Sequence, residues 1–528
     1  MVCLGCGSSE RAEGAGGDNG RGGEGASNAS AGASGSGAGG GAGLGAGGGA
    51  SGSSARTGGG SGTGSAGNAG TTAGGASGAA GGVNASCPGS TNHTPGTRIR
   101  GRFIVTSDGD RAWNGWHDTE LDEECSFHRL ADGTTRCIPS NWSNSVTFYT
   151  DAACTTPAYT AGESAACTPM SYVMLYRAGD CTTPSGYEFF ELGDEVTPAA
   201  VYALGDDGAC TLTTAPDAPL YLPGPLVPSE RFVAAEAFTA EGSTRVRAVG
   251  YLAADGTRQI TGWRDTGLDG ASCFIRRSDD GTLRCIPSGA SLGAYYADAS
   301  CTERLASFPS SCGAEPARYA TRSANPYCPA DGDVVAERGE AFAGAVFNRA
   351  GEGVCEPAVI PPEEPMSRAT PIPASTFAEI GAHTDESDDT RLKPHYYDAA
   401  DGGCWFWKFW DSELDVSCGF DVAEDGVYRC LPGDMGSFAD VFTDDACTTP
   451  ARVLSLDTCE NPVVPEYALD VVSSECAFEW RVYRTSPVPG PLYRMELGAC
   501  VAVEDTSALA LAAAVDPATF MAGELRVE

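Results

Sequence analysis

From about residue 97 onward, apolar and polar positions alternate in short runs, each ended by a break rich in Gly, Asp or Pro. Alternation with a period of two sets one side of an extended chain on a core and the other toward water, so it predicts strands. Arg98-Ile-Arg100, Arg245-Val-Arg247 and Arg391-Leu-Lys393 open three such runs. Each leads to an Asp-Gly pair (Asp108-Gly109, Asp255-Gly256, Asp401-Gly402), which tolerates the positive φ of a tight hairpin turn. A second Asp-Gly hairpin follows at Asp132, Asp280 and Asp425, closed by Arg136-Cys-Ile-Pro139, Arg284-Cys-Ile-Pro287 and Arg429-Cys-Leu-Pro432. Runs such as Tyr172-Val-Met-Leu-Tyr176 continue the alternation, and a helical period is suggested only around 507–515. The expected fold class is all-β.

The runs recur three times, about 145 residues apart, and carry six cysteines each time. The sets are Cys125, Cys137, Cys154, Cys167, Cys181, Cys210; then Cys273, Cys285, Cys301, Cys312, Cys328, Cys355; then Cys418, Cys430, Cys447, Cys459, Cys476, Cys500. None of the sets contains a C-x-x-C pair and the chain has only 5 histidines, so zinc is not the expected partner. A disulfide framework in an exported protein is. The first two cysteines of each set flank the second hairpin, on strands close enough to be bridged.

Pro228-Ser-Glu-Arg-Phe232 and Pro373-Ala-Ser-Thr-Phe377 stand between the repeats, and Pro517-Ala-Thr-Phe520 stands at the C-terminus, but nothing comparable precedes the first repeat. The last strands thus read as the missing partners of the first, as in a closed ring that leaves no sheet edge. At roughly two four-stranded blades per repeat, a six-bladed β-propeller is expected. Three tandem β-sandwich or barrel domains are the alternative. The organisation reads as a residual signal and lipobox at 1–6, a tether at 7–96, and repeats at 97–241, 242–388 and 389–528. Cys87 and Cys404 lie outside the threefold frame, and a bridge between them would staple a ring shut.

With 33 basic against 70 acidic residues, the net charge is -37. Such a surface repels phosphates, which excludes nucleic acid, and it lacks a basic patch for anionic lipid. It suits an exported protein kept soluble and monomeric. No apolar stretch approaches the ~18 residues of a membrane span. Residues 7–86 are almost all Gly, Ala and Ser, too polar to fold on their own. As a flexible coil this tether would span about 50 Å. The G-x-G-x-x-G read at Gly35, Gly37 and Gly40 is a product of low complexity.

Leu4-Gly5-Cys6 followed by this tether resembles the lipobox of bacterial lipoproteins, which implies acylation of Cys6. Position -3 is Cys3, where that family usually has Leu. The tether and cysteine-rich repeats together resemble the uncharacterised surface lipoproteins of high-GC soil bacteria such as myxobacteria. The resemblance implies location in the cell envelope, at the outer membrane or cell surface, and no activity.

Chemistry is sparse. Asp118 and Asp122, Asp265 and Asp269, and Asp411 and Asp415 recur four apart in a W-x-D-T-x-L-D segment. Two carboxylates per repeat fall short of the six to eight oxygens of calcium, and Asp before Thr or Ser is a common backbone cap, so capping is expected and calcium is the alternative. The third repeat departs most, at Cys404-Trp-Phe-Trp-Lys-Phe-Trp410. Alternation would set Trp405 and Trp407 on the face of Phe409, with Trp410 opposite. These three tryptophans are the candidate ligand contacts, for a glycan or a protein. No zincin motif, phosphate loop or nucleophile elbow is present, so no cofactor is expected. The expected function is a lipid-anchored extracytoplasmic binding protein. An exported carbohydrate- or cell-wall-active enzyme and a passive coat protein are the alternatives.

Overall fold

The computed structural model describes residues 93–528, apart from 144–147, 161–169, 178–185, 308–316, 324–327, 329–331, 350–353, 360–364, 400–403, 457–462, 474–477, 504–508 and a few single or paired positions. Among these residues the regular elements are β-strands and single 3₁₀ turns.

Each repeat opens with a meander of four strands. In the first these are β2 (Ile99–Thr106), β3 (Arg111–Asp118), β4 (Glu123–Arg129) and β5 (Thr135–Pro139), preceded by the short β1 (His93–Thr94). The Asp-Gly turns behave as expected, with Gly109 at φ 95° and Gly133 at φ 84°. After the rest of the repeat comes a 3₁₀ turn at Ser229–Arg231 and a fifth strand, β6 (Val233–Thr239). The second repeat supplies β7 (Val246–Ala253), β8 (Arg258–Asp265), β9 (Ala271–Arg277), β10 (Leu283–Pro287) and, after the turn Ala374–Thr376, β11 (Ile380–Thr384). The third supplies β12 (Leu392–Ala399), β13 (Cys404–Asp411), β14 (Val416–Val422), β15 (Tyr428–Pro432) and, after Pro517–Thr519, β16 (Ala522–Val527).

All sixteen belong to one sheet, in the order β10-β9-β8-β7-β6-β5-β4-β3-β2-β16-β15-β14-β13-β12-β11, with β1 on β8. The strand after each Pro-x-x-Phe turn fuses neighbours. β6 pairs with β5 of its own repeat and β7 of the next. β16, the C-terminal strand, does the same between β15 of the third repeat and β2 of the first. The two ends of the path also touch. Arg284 in β10 forms an antiparallel bridge with Glu379, and Cys285 N–H donates to Ala378 O at 3.0 Å. The corresponding bond at the β15–β16 junction runs from Cys430 N–H to Met521 O at 2.8 Å.

These pairings do not divide into six four-stranded blades, nor into three separate domains. The physical reason is the two-sided pairing of β6 and β16, which leaves no break in the ladder at the repeat boundary. The remainder of each repeat forms a lobe. Described strands of the first lobe, from Trp142 to Leu226, make an eight-stranded sheet, as do those of the third; those of the second make sheets of five and three strands. Each lobe meets the central sheet at the same place, through parallel bridges Leu130–Tyr187, Ser278–Asp333 and Ala423–Trp480.

The core is likewise threefold. Between meander and lobe, Ile138, Phe189 and Phe232 pack together in the first repeat, Ile286, Val335 and Phe377 in the second, and Leu431, Val482 and Phe520 in the third. Three further clusters lie between repeats. Ile99, Trp116, Cys125 and Cys137 of the first pack with Ala253 of the second. Val246, Cys273 and Cys285 of the second pack with Tyr397 and Trp405 of the third. Leu392, Phe409, Cys418 and Cys430 of the third pack with Ile104 and Ala112 of the first. A full burial is worth about 1.5–3 kcal/mol per large apolar side chain, so these clusters carry most of the stability.

Disulfides reinforce the pattern. The first two cysteines of each set are bonded across the hairpin (Cys125–Cys137, Cys273–Cys285, Cys418–Cys430), with Cα atoms 5.2–5.3 Å apart. The third bonds the sixth (Cys154–Cys210, Cys301–Cys355, Cys447–Cys500), closing the lobes over separations of 53–56 residues. In the chain-entropy account a loop of that size adds about 4 kcal/mol. So many disulfides place the protein in an oxidising compartment outside the cytoplasm. No helix among the described residues is long and apolar enough to cross a membrane.

Candidate functional site

The recurring carboxylates have structural partners. Asp118, Asp265 and Asp411 are fully buried at the ends of β3, β8 and β13. Each accepts a two-pronged bond from the arginine that opens its repeat: Arg98 Nε and Nη2 reach Asp118 at 2.8 Å, and Arg245–Asp265 and Arg391–Asp411 repeat the geometry at 2.7–2.9 Å. The first carboxylate oxygen also accepts the backbone N–H two residues on, from Glu120, Gly267 and Glu413. The same arginines donate to carbonyls of the 3₁₀ turns, at Arg231, Thr376 and Thr519. One ion pair thus ties the opening strand, the W-x-D turn and the closing turn of every repeat. A planar guanidinium suits this fork, where lysine would make a single contact.

The second aspartates lie elsewhere. Asp122, Asp269 and Asp415 occupy the left-handed region (φ 56°, 56° and 57°) and are exposed. Asp122 lies 3.3 Å from His117 Nε2, and Asp269 is 2.6 Å from Arg318 Nη1. Among the described residues no group of three or more His, Cys, Asp or Glu is arranged to hold a metal ion.

The aromatic strand of the third repeat departs from strict alternation. Pairing of β12 with β13 runs His395–Lys408 and then Tyr396–Phe406, so Trp407 is an inserted, bulged residue. The shift recurs at the same place in the other repeats, skipping Asn114 and Thr261. It corrects the face assignment made from period two. Phe406 shares a side with Phe409, their rings 5.0 Å apart at 61°, as Trp113 does with Trp116. Trp405 is buried in the core between the second and third repeats, 5.3 Å from Trp263, and is not available to a ligand. Trp407 is half-buried. It stacks on Tyr397 at 4.6 Å and carries the Lys408 ammonium 3.7 Å from its ring centre. Trp410 is half-buried on the stretch paired to Ser417. Cys404, at the head of β13, is disulfide-bonded. Cys6, Cys87, Cys167, Cys181, Cys312, Cys459 and Cys476 lie outside the described residues.

Residues that alternation did not single out lie beside this strand and in the first repeat. His395 bonds Thr384 Oγ1 through Nδ1 at 2.9 Å, and burial, helped by the Lys408 and His383 charges, lowers its pKa to about 4. Burial raises the Tyr397 phenol. His93, stacked 3.8 Å from Trp113, is lowered to about 3 by burial. In the first repeat alone, Glu123 is raised by burial, against hydrogen bonds from Asn141 and Ser171 that lower it. The signal available for His93, His395 and Glu123 was their absence from the equivalent positions of the other repeats, whereas Tyr397 has Tyr251 as its counterpart in the second.

The lowered histidines give a pH dependence. Unfolded histidines take up a proton near pH 6.5, whereas His93 and His395 stay neutral in the fold down to about 3 and about 4. The unfolded chain therefore binds more protons below pH 6.5, and stability present above that pH is lost as pH falls toward 4. Each contributes a slope of at most about 1.4 kcal/mol per pH unit. Urea midpoints measured from pH 7 to pH 5 should fall, and His395→Gln should flatten the decline.

One family profile matches the chain twice, over residues 90–371 and 230–520, so that each match covers two successive repeats. No curated protein and no solved structure matches it. The chain belongs to the family of unknown function DUF7481.

Proposed function

We propose that this protein is a lipid-anchored, monomeric binding protein of the cell envelope, of the surface-lipoprotein type, and that it holds a glycan on a rigid body whose central sheet closes into a ring. The observation that carries the reading is the use made of the recurring residues. The buried Asp118, Asp265 and Asp411, the arginines that fork onto them and the hairpin cysteines, found in all three repeats, are consumed by scaffold contacts. Recognition then falls to residues that occur once. Trp407 and Trp410 are the candidates, since half-exposed indole rings beside polar groups suit sugar stacking. Closure is supported by the Cys285–Ala378 bond and by one equivalent contact at each junction. Trp116 Nε1 donates to Gln259 Oε1 at 2.8 Å, Trp263 packs on Trp405, and Phe409 packs in a cluster with Ala112. Anchoring rests on Leu4-Gly5-Cys6 ahead of the Gly/Ala/Ser tether, together with the oxidising compartment that the disulfides require.

The test is a binding screen of the full chain against envelope polysaccharides and peptidoglycan. Saturable binding that weakens at least tenfold in Trp407→Ala or Trp410→Ala, with unchanged melting, supports the reading. Binding indifferent to both substitutions, or confined to proteins, would overturn the glycan site. Release of reducing sugar in the same assay would point to an enzyme instead.

A further inference from the structure

Both lysines of the chain, Lys393 and Lys408, fall in the third repeat. Lys408 follows the bulged Trp407, at the place where the other repeats have Gly115 and Gly262, so the fold itself does not call for a side chain there. Its ammonium lies 2.6 Å from Ser417 Oγ and 3.7 Å from the centre of the Trp407 ring. Tyr397 stacks on that ring at 4.6 Å, and the ring of His395, which is opposite Lys408 in the ladder, lies 5.3 Å from it. Burial is the main reason that the His395 pKa is low, and the two charges that add to it, Lys408 and His383, are both cationic. His383 is itself 3.0 Å from Asp398. A positive field thus acts at this spot in a chain of net charge -37.

In the first repeat His395, Lys408 and Ser417 correspond to Arg102, Gly115 and Glu124, and there Arg102 is ion-paired with Glu124. In the second they correspond to Val249, Gly262 and Ser272, which carry no charge. The first repeat therefore builds in a cation together with its carboxylate. The third keeps a cation, now on Lys408, and has a hydroxyl where the carboxylate stood. An ammonium has three donors, so a further acceptor can join the contacts that Lys408 already makes. Ser417 Oγ accepts from Lys408, which leaves its own O–H to donate to the same acceptor. The indole face favours a cation above it. A neutral sugar laid on that face would have to displace the ammonium, whereas a sugar carrying a carboxylate can pair with it in place.

Granted the glycan site proposed above, on which this rests, we propose that its ligand is an acidic glycan, a polymer of uronic acids whose carboxylate pairs with Lys408 and accepts from the Ser417 hydroxyl beside the Trp407 ring. Lys408 and Ser417 thereby join the tryptophans as ligand contacts, and the charge of the sugar becomes the basis of selection. A body of net charge -37 repels a polyanion at a distance, but at about 0.15 M salt that repulsion is screened beyond about 8 Å. Preference for the acid then has to come from a cation in direct contact.

The test measures binding of the full chain to polygalacturonate and to alginate, each beside its carboxyl-esterified form, at about 0.15 M salt. At least one acid form should bind roughly tenfold or more tighter than its ester. Lys408→Gln should bring the two within about twofold, and Lys408→Arg should keep the preference. Equal binding of acid and ester, or a preference that survives Lys408→Gln, would overturn the inference. Binding of neutral glycans only, weakened by Trp407→Ala, would also overturn it while leaving the glycan site standing. A preference for the acid that is lost in Lys408→Gln but indifferent to Trp407→Ala and Trp410→Ala would uphold the lysine contact and remove the stacking site. Failure of every polymer to bind would overturn both. If Lys408→Gln does not fold, the comparison of acid with ester on the native chain still decides.

Discussion

Removing residues 516–528 is expected to unfold the body of the protein and not to trim its end. The deletion takes away β16, which pairs with β2 from Arg102–Val527 to Thr106–Gly523 and with β15 at Tyr428 and Arg429. It also takes Phe520, 1% exposed in the core between the third repeat's meander and lobe, whose carbonyl accepts Arg429 Nη1 at 2.8 Å. Loss of a buried Phe alone costs about 3–5 kcal/mol. The exposed edges of β2 and β15 then add a route to aggregation. The total exceeds ~5 kcal/mol, a large part of the 5–15 kcal/mol that holds a typical domain together. Loss of the cooperative melting transition, with protease cleavage inside both the first and third repeats, is the expected result. Transplanting 516–528 to a position just before Thr97 should restore melting, because the strand's partners are the first repeat and the third. Normal melting of the truncated chain would contradict this.

The second large effect is expected from the buried aspartates. Asp118→Ala leaves the Arg98 guanidinium, only 22% exposed, without its buried carboxylate and with only the exposed Glu120 beside it. Breaking a buried pair from one side costs about 3–5 kcal/mol, far more than the ~0–1 kcal/mol of a surface pair. Asp411→Ala should match it, since Arg391 is 18% exposed. Asp265→Ala should cost less, because Arg245 is 40% exposed and water can take up part of its charge. Replacing both partners with apolar residues, as in Arg98→Met with Asp118→Leu, should recover much of the loss. Urea titrations of the four variants check the order, and equal, small losses would show that the pairs are ornamental to stability.

Local chemistry made much of the fold legible in the sequence. Asp-Gly pairs announced the hairpins, and Gly256, Gly281 and Gly426 sit at the positive φ (94°, 78° and 75°) those turns need. The 12-residue cysteine interval announced the hairpin disulfides. The C-terminal Pro-Ala-Thr-Phe announced a strand that completes the first repeat, and β16 does pair there. What was not legible depends on contacts between distant segments. Blades were inferred from repeat length, but β6 and β16 pair on both sides, and one strand's run cannot say how many partners it has. The bulge at Trp407 inserts a single residue, and alternation carries no mark of it. Gly115 and Gly262 hint at the spot in two repeats, but the third has Lys408 there. Trp405 reads like a surface aromatic until Trp263 and Ala378 of the preceding repeat are packed against it. A tryptophan's exposure is a property of its neighbours, so the candidate site was the least legible part of the chain.

Closure of the central sheet is the claim on which the rest depends, and the junction between β10 and β11 is its thinnest point. Amide hydrogen exchange at Cys137, Cys285 and Cys430, the equivalent residues of the three junctions, tests it most directly. A closed ring requires Cys285 N–H, bonded to Ala378 O, to exchange within about tenfold of Cys430 N–H, bonded to Met521 O. A Cys285 amide that exchanges as fast as an unstructured loop, while the other two stay protected, would show an open sheet and contradict the account.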